Sequence, residues 1–154
     1  VSPSFTETYS NLIREEISNT LQPIPHIETA LAGLRYPKCV ASGSEPDKIA
    51  LSLEVTGLRK YFDHLYSASQ VPRGKPFPDL FLYAAEELNF SPAQCIVIED
   101  SNAGIKAGLA AGMKVLWYRT STGNEQAISE KVTVFNDMAV LPDLIPWIIR
   151  NHHS

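Results

Sequence analysis

The sequence predicts an α/β fold with a mainly parallel sheet flanked by helices. Short apolar, β-branched runs such as Cys95-Ile96-Val97-Ile98 alternate almost throughout with longer segments of helical period. These runs are not interrupted by polar residues, which suits strands covered on both faces. With 154 residues, 44% hydrophobic and 19% charged, the chain is large enough for one globular domain with a buried core.

Each element follows in order. Phe5 to Asn19 reads as a polar amphipathic helix with Phe5, Tyr9, Leu12, Ile13 and Ile17 along one side. Leu21-Gln22-Pro23-Ile24-Pro25 is a stiff connector and a boundary between residues 1–20 and a main domain over 21–154. Ile27 to Leu34 makes a short helix and Lys38 to Ala41 the first strand. Ser42-Gly43-Ser44 turns the chain, and Ser44 is expected to cap a helix from Glu45 to about Val55, with Asp47 three residues on. His64 to Ala68 is the second strand, and Lys75-Pro76-Phe77-Pro78 a rigid loop. Asp79 is expected to cap the helix that runs to about Leu88. Ser91-Pro92 opens a single helical turn ahead of the strand at Cys95. Ala103 to Ala111 is a small-residue helix able to lie close to the sheet, stopped by Gly112. Lys114 to Tyr118 and Val132 to Phe135 complete the strands. A last helix starts near Ala139, with Pro142 in its first turn and Pro146 bending it.

Charge narrows the function. The formal net charge is −4 and the basic residues are scattered, so no nucleic-acid or membrane surface is expected. No apolar run approaches the ~20 residues of a membrane span, and no signal-peptide pattern opens the sequence. The only cysteines, Cys39 and Cys95, are expected as core thiols of a cytoplasmic protein.

The polar residues of interest stand at strand ends. Ser42 follows the first strand, Lys75 lies in the loop after the second, and Glu99 and Asp100 end the third. A parallel sheet gathers its strand carboxyl ends along one edge, where ligands bind in open α/β sheets. Adjacent carboxylates suit a hard cation such as Mg²⁺. A lysine, a hydroxyl and the backbone N–H groups of helix starts suit phosphate oxygens. Together they suit phosphoryl chemistry. Each residue also has a plain reading: Ser42 as a turn residue, Lys75 as a solvated cation, Asp100 as a helix cap.

The motifs VASGS, GKPFPDLF and VIEDSNAGIKAGLAAGM, in this order and spacing, resemble the second, third and fourth motifs of the haloacid dehalogenase superfamily. The likeness is to its β-phosphoglucomutase-like and phosphoglycolate-phosphatase-like branch, and it runs from about Leu21 to Tyr118. It implies a Rossmann-like core and a Mg²⁺-dependent phosphatase of small phosphorylated metabolites such as sugar phosphates. A phosphomutase on the same core, or a non-catalytic phosphate-binding module, are the alternatives. Ser42, with Gly43 beside it, matches the residue that binds the transferring phosphoryl group. Lys75 matches the lysine that balances charge between nucleophile and phosphate. Asp100 and Glu99 match the acids that hold Mg²⁺, while Asn102 and Gly104 shape the loop behind them.

One part of the pattern is missing. The family begins its chemistry with an aspartate in a DxDG-type motif that ends a first, central strand and becomes an aspartyl-phosphate. The Asp residues here are 47, 63, 79, 100, 137 and 143, and none follows an apolar strand as DxD. The resemblance therefore implies that the first strand and most of the helical cap are absent, with residues 1–20 as the cap's last helix. It implies a partner as well: an N-terminal segment of the same protein, seated between the first and third strands. The chain is expected to be inactive alone.

Overall fold

The computed structural model describes residues 21–119 and 130–151. The helix expected over Phe5–Asn19 lies outside the described residues. The elements are α1 (Ile27–Gly33), β1 (Cys39–Ser42), α2 (Pro46–Val55), β2 (His64–Ser67), α3 (Asp79–Glu87), β3 (Ile96–Glu99), α4 (Asn102–Ala110), β4 (Lys114–Tyr118), β5 (Val132–Phe135) and α5 (Leu141–Asn151). All strand pairs are parallel, which gives the α/β architecture expected from the alternating pattern.

The strands form two separate sheets, β1-β2 and β3-β4-β5, and β1 and β3 do not pair. Helices cover both faces of the larger sheet. Leu116 and Phe135 pack with Ala30 and Leu34 of the α1 region and with Leu141, Ile145 and Ile148 of α5. On the other face Val97 and Val115 lie under Ile105 and Ala107 of α4 and Phe81 and Ala85 of α3. α3 also turns Leu80 and Ala84 toward Tyr66 of β2, with Cys39 and Ala41 of β1 alongside. It therefore splints the two sheets, burying alternate pairs of residues against each.

Local chemistry explains the helix ends. α4 stops in a Schellman motif, with Gly112 N–H bonded to Leu109 O at 3.0 Å and Met113 N–H to Gly108 O at 3.1 Å. Gly112 takes φ +76, a conformation that a side chain disfavours. A Cβ on Gly108 would stand 2.7 Å from Val115 Cγ2, so the small residues of α4 let it lie against the sheet.

Several expectations are corrected. Ser44 does not cap α2: the cap position is Glu45, without a side-chain bond, because Pro46 takes the first helical position and holds Glu45 extended. Asp79 is not a cap either. Pro78 occupies that position and Asp79 is the first residue of α3, its carboxylate gripped by Arg73 at 3.0 and 3.3 Å. α5 starts at Leu141, behind a short 3₁₀ turn over Met138–Val140 that the Asp137 side chain caps. Cys95 precedes β3, because its N–H closes the 3₁₀ turn on Pro92 at 3.0 Å. β3 is also not covered evenly on both faces: Val97 is 6% exposed and Ile98 40%.

Cys39 and Cys95 are free thiols, half-buried against the core rather than fully enclosed in it. Burial, with Cys95 adding to it, pushes the Cys39 thiol up to about 11. Since the thiolate is the nucleophile, Cys39 should react with iodoacetamide at pH 8 on the order of a hundred-fold more slowly than a free thiol. The rate should climb as pH approaches 11. Mass-spectrometric alkylation rates check this; a rate near that of free cysteine at pH 8 would show a solvated β1.

Candidate functional site

Lys75 joins the two sheets. Its loop leaves β2 through the 3₁₀ turn Ala68–Gln70 and is closed by the Arg73–Asp79 ion pair, with the Arg73 guanidinium 4.4 Å from the Phe77 ring. The peptide between Lys75 and Pro76 is cis. From this loop the Lys75 ammonium donates to Ala41 O at the end of β1, at 3.0 Å, and to Glu99 Oε1 at the end of β3. It also lies 4.9 Å from the Phe81 ring of α3. The Lys75 and Glu99 side chains are 15% and 11% exposed, so the ion pair is largely desolvated. Two opposite charges held this far from water stabilise only when their other bonding positions are also filled. Ala41 O serves Lys75 in that way, and the Ser101 hydroxyl, 3.3 Å from Glu99 Oε2, serves Glu99.

Glu99 needs room for this. A Cβ on Gly104 would fall 2.1 Å from Glu99 Cδ, so the first turn of α4 is left bare for the carboxylate to lie against it. The cap of α4 is Ser101, whose Oγ accepts from Gly104 N–H at 3.0 Å. Asp100 is thus spared the capping role that its position suggests. It is exposed, and no hydrogen bond or ion pair engages its carboxylate among the described residues.

Ser42 ends β1 next to the carbonyl that Lys75 holds. Its Oγ accepts the Ser44 N–H at 3.1 Å. The hydroxyl proton remains available to an incoming acceptor, since a serine oxygen accepts and donates at once. Gly43 has open space around it, with nothing within 4 Å of where a Cβ would sit. The contacts of Lys75 therefore bring Ser42, Gly43, Lys75 and Glu99 to one edge, and chain continuity adds Asp100.

The donor set supplies part of what Mg²⁺ needs. Among the described residues no three His, Cys, Asp or Glu side chains cluster closely enough to hold a metal. Mg²⁺ keeps several waters and is often held by one or two carboxylates, so the free Asp100 oxygens fit it as part of a ligand set. Glu99, expected beside Asp100 as a ligand, has one oxygen committed to Lys75.

Sequence reasoning missed two supports of the site, Arg73 and Ser67, and expected the third, Gly104, only as a loop-shaping residue behind the acids. Arg73 fastens the Lys75 loop, Gly104 makes space for Glu99, and Ser67 anchors the turn after Ser42. The Arg-x₅-Asp spacing gave no signal by itself, and Ser67 looked like an ordinary strand residue.

Comparison with known proteins follows the same lines. Residues 5–112, more than half of the chain, match the model of the haloacid dehalogenase-like hydrolase family. The 6-phosphogluconate phosphatase of Escherichia coli is 33% identical over 131 residues, covering 84% of this chain and 58% of that protein. The fructose-1-phosphate phosphatase of the same organism is 37% identical over 102 residues, covering 66% of this chain and 54% of that protein. The chain thus spans little more than half the length of these relatives. A haloacid dehalogenase family hydrolase from Deinococcus radiodurans, solved with bound phosphate and sodium, superposes with a TM-score of 0.76 at 30% identity. That match covers 95% of this chain and 68% of the other. The chain belongs to the haloacid dehalogenase-like hydrolase family.

Proposed function

We propose that this chain supplies the phosphate- and metal-binding side of a Mg²⁺-dependent phosphatase of small phosphorylated metabolites, sugar phosphates above all. The observation that carries this reading is the Lys75 ammonium, held between the carbonyl beside Ser42 and the Glu99 carboxylate beside Asp100. The relatives named as phosphatases of 6-phosphogluconate and fructose 1-phosphate support the substrate class.

In this reading the Ser42 hydroxyl and the Gly43 N–H orient a phosphoryl oxygen by donating to it. Lys75 offsets the charge that gathers on the phosphoryl group, its own orientation fixed by Glu99. Asp100, with Glu99 beside it, would hold Mg²⁺, which when bound draws charge off the phosphoryl oxygens. The nucleophile is an aspartate on a strand seated between β1 and β3, and it forms an aspartyl-phosphate. That strand is the partner this chain needs, and alone it is inactive. Its unpaired cysteines suit a reducing cytoplasm. Among the described residues no helix is long and apolar enough to cross a membrane.

Asp100→Asn tests the metal assignment. In the protein completed by such a strand, phosphate release from a panel of sugar phosphates should depend on Mg²⁺ and cease with a chelator. The substitution should lower it by at least about a hundred-fold, since it removes a charged ligand from a hard-cation site. Rates like those of the parent would sink the assignment. A phosphomutase on the same core would return an isomerised sugar phosphate instead of free phosphate. The other alternative is a non-catalytic phosphate-binding module. Such a module would bind phosphate yet stay inactive after completion.

A further inference from the structure

We infer that Ser67 is a positioning residue that sets the orientation of the Ser42 hydroxyl for phosphate binding. The inference rests on the phosphate-binding reading of Ser42 and deepens it.

Among the described residues Ser67 is the one buried polar residue, at 1% exposure. It closes β2 and stands directly across from Ser42 in the parallel register of β1 and β2. Its hydroxyl donates to Ser44 O at 2.6 Å. That uses its single proton, so the 2.9 Å contact with Ser69 Oγ must be donated by Ser69. The Ser69 N–H also donates to Ser67 Oγ, at 3.2 Å. One donor and two acceptor positions are thus filled, and the hydroxyl has no remaining freedom to turn. Its backbone N–H is held as well, by Gln70 Oε1 at 2.8 Å.

The anchored Ser44 passes this constraint on. Its carbonyl is fixed by Ser67, and its N–H reaches Ser42 Oγ at 3.1 Å. The Ser44 N–H then occupies a lone pair of Ser42, which restricts the rotation of its hydroxyl and leaves the proton for an incoming acceptor. Without the Ser67 hydroxyl, the Ser44 carbonyl loses its buried donor and the turn is free to rotate. The Ser42 hydroxyl would then have to be ordered at the moment of binding, and affinity would fall.

The test is a double-mutant cycle read by titration with inorganic phosphate, following the Gly43 and Ser44 amides by NMR. Ser67→Ala should weaken phosphate binding about three- to ten-fold, the worth of one net hydrogen bond. Ser42→Ala should weaken it at least as much. In the Ser42→Ala background, Ser67→Ala should have no further effect on phosphate, although it still lowers the urea midpoint. A merely structural role predicts equal losses in both backgrounds, and that result would overturn the proposal. Unchanged binding in Ser67→Ala with weakened binding in Ser42→Ala overturns it too, leaving the phosphate site intact. Unchanged binding in Ser42→Ala means that the phosphate reading itself has failed, and the positioning role goes with it. Ser67→Cys fills similar space with a weak donor and carries the same cycle should the alanine variant not fold.

Discussion

Replacing Lys75 with alanine will destabilise the fold by about 3–5 kcal/mol, the cost of leaving one member of a buried ion pair without its partner. Both side chains are mostly withdrawn from water, so little solvent screening softens the loss. The Ala41 carbonyl loses its donor at the same time, and β1 loses the hydrogen bond that ties it toward β3. Urea unfolding followed by far-UV circular dichroism measures the effect. The double variant Lys75→Met, Glu99→Gln should recover much of it, since it removes the stranded charge. If Lys75→Ala unfolds within 1 kcal/mol of the parent by this method, the ion pair is solvated and unimportant for stability. In the completed phosphatase, Lys75→Ala should also lower turnover by several orders of magnitude, because Lys75 is the one side-chain cation assigned to the phosphate. The double variant should stay inactive. Recovered stability without recovered activity separates the structural role of Lys75 from its chemical one.

Which parts of this were legible in the sequence follows from the range of the interactions. β4, β5 and the stop of α4 depend on local signals, a β-branched run or a glycine at positive φ, and were read nearly to the residue. Helix starts fared less well where two candidate caps adjoin. Ser44 and Glu45, or Asp100 and Ser101, differ by one residue, and proline placement or the hydrogen-bond partner decides between them. The strand-end site was legible as a set of residue types, because a parallel sheet collects its carboxyl ends. The partition of the two acids was not legible. Glu99 and Lys75 are 24 residues apart, and only the fold shows that Glu99 is spent on the lysine while Asp100 stays free. Even coverage of β3 was expected from its apolar run, yet Ile98 stays 40% exposed although its neighbours on the same face, Ile96 and Leu116, belong to the core under α1 and α5.

Adding a strand between β1 and β3 should produce the largest change of all. Among the described residues each of these strands has one edge without a partner, and unpaired edges leave backbone N–H and C=O groups to water. One inserted strand requires its neighbours to stand about 10 Å apart, twice the ~4.8 Å of adjacent strands. A side chain that reaches from one sheet to the other, as Lys75 does, suits such a spacing. An apolar segment of about five residues ending in Asp-x-Asp, fused ahead of the chain through a flexible linker, would form on the order of five to eight ladder bonds. At about 0.5–1.5 kcal/mol each, these should add several kcal/mol to the stability of the chain. Amide hydrogen exchange distinguishes the outcomes without any assay of activity. In the unfused chain, amides of β1 and β3 that face the gap should exchange at least about a hundred-fold faster than those of β4, which is paired on both sides. In the fusion they should slow to the β4 level while β4 itself changes little, and phosphatase activity should appear with Mg²⁺. If β1 and β3 are already as protected as β4 in the unfused chain, they pair with each other in solution. There would then be no place for the nucleophile strand, and the chain would be a self-sufficient phosphate-binding module.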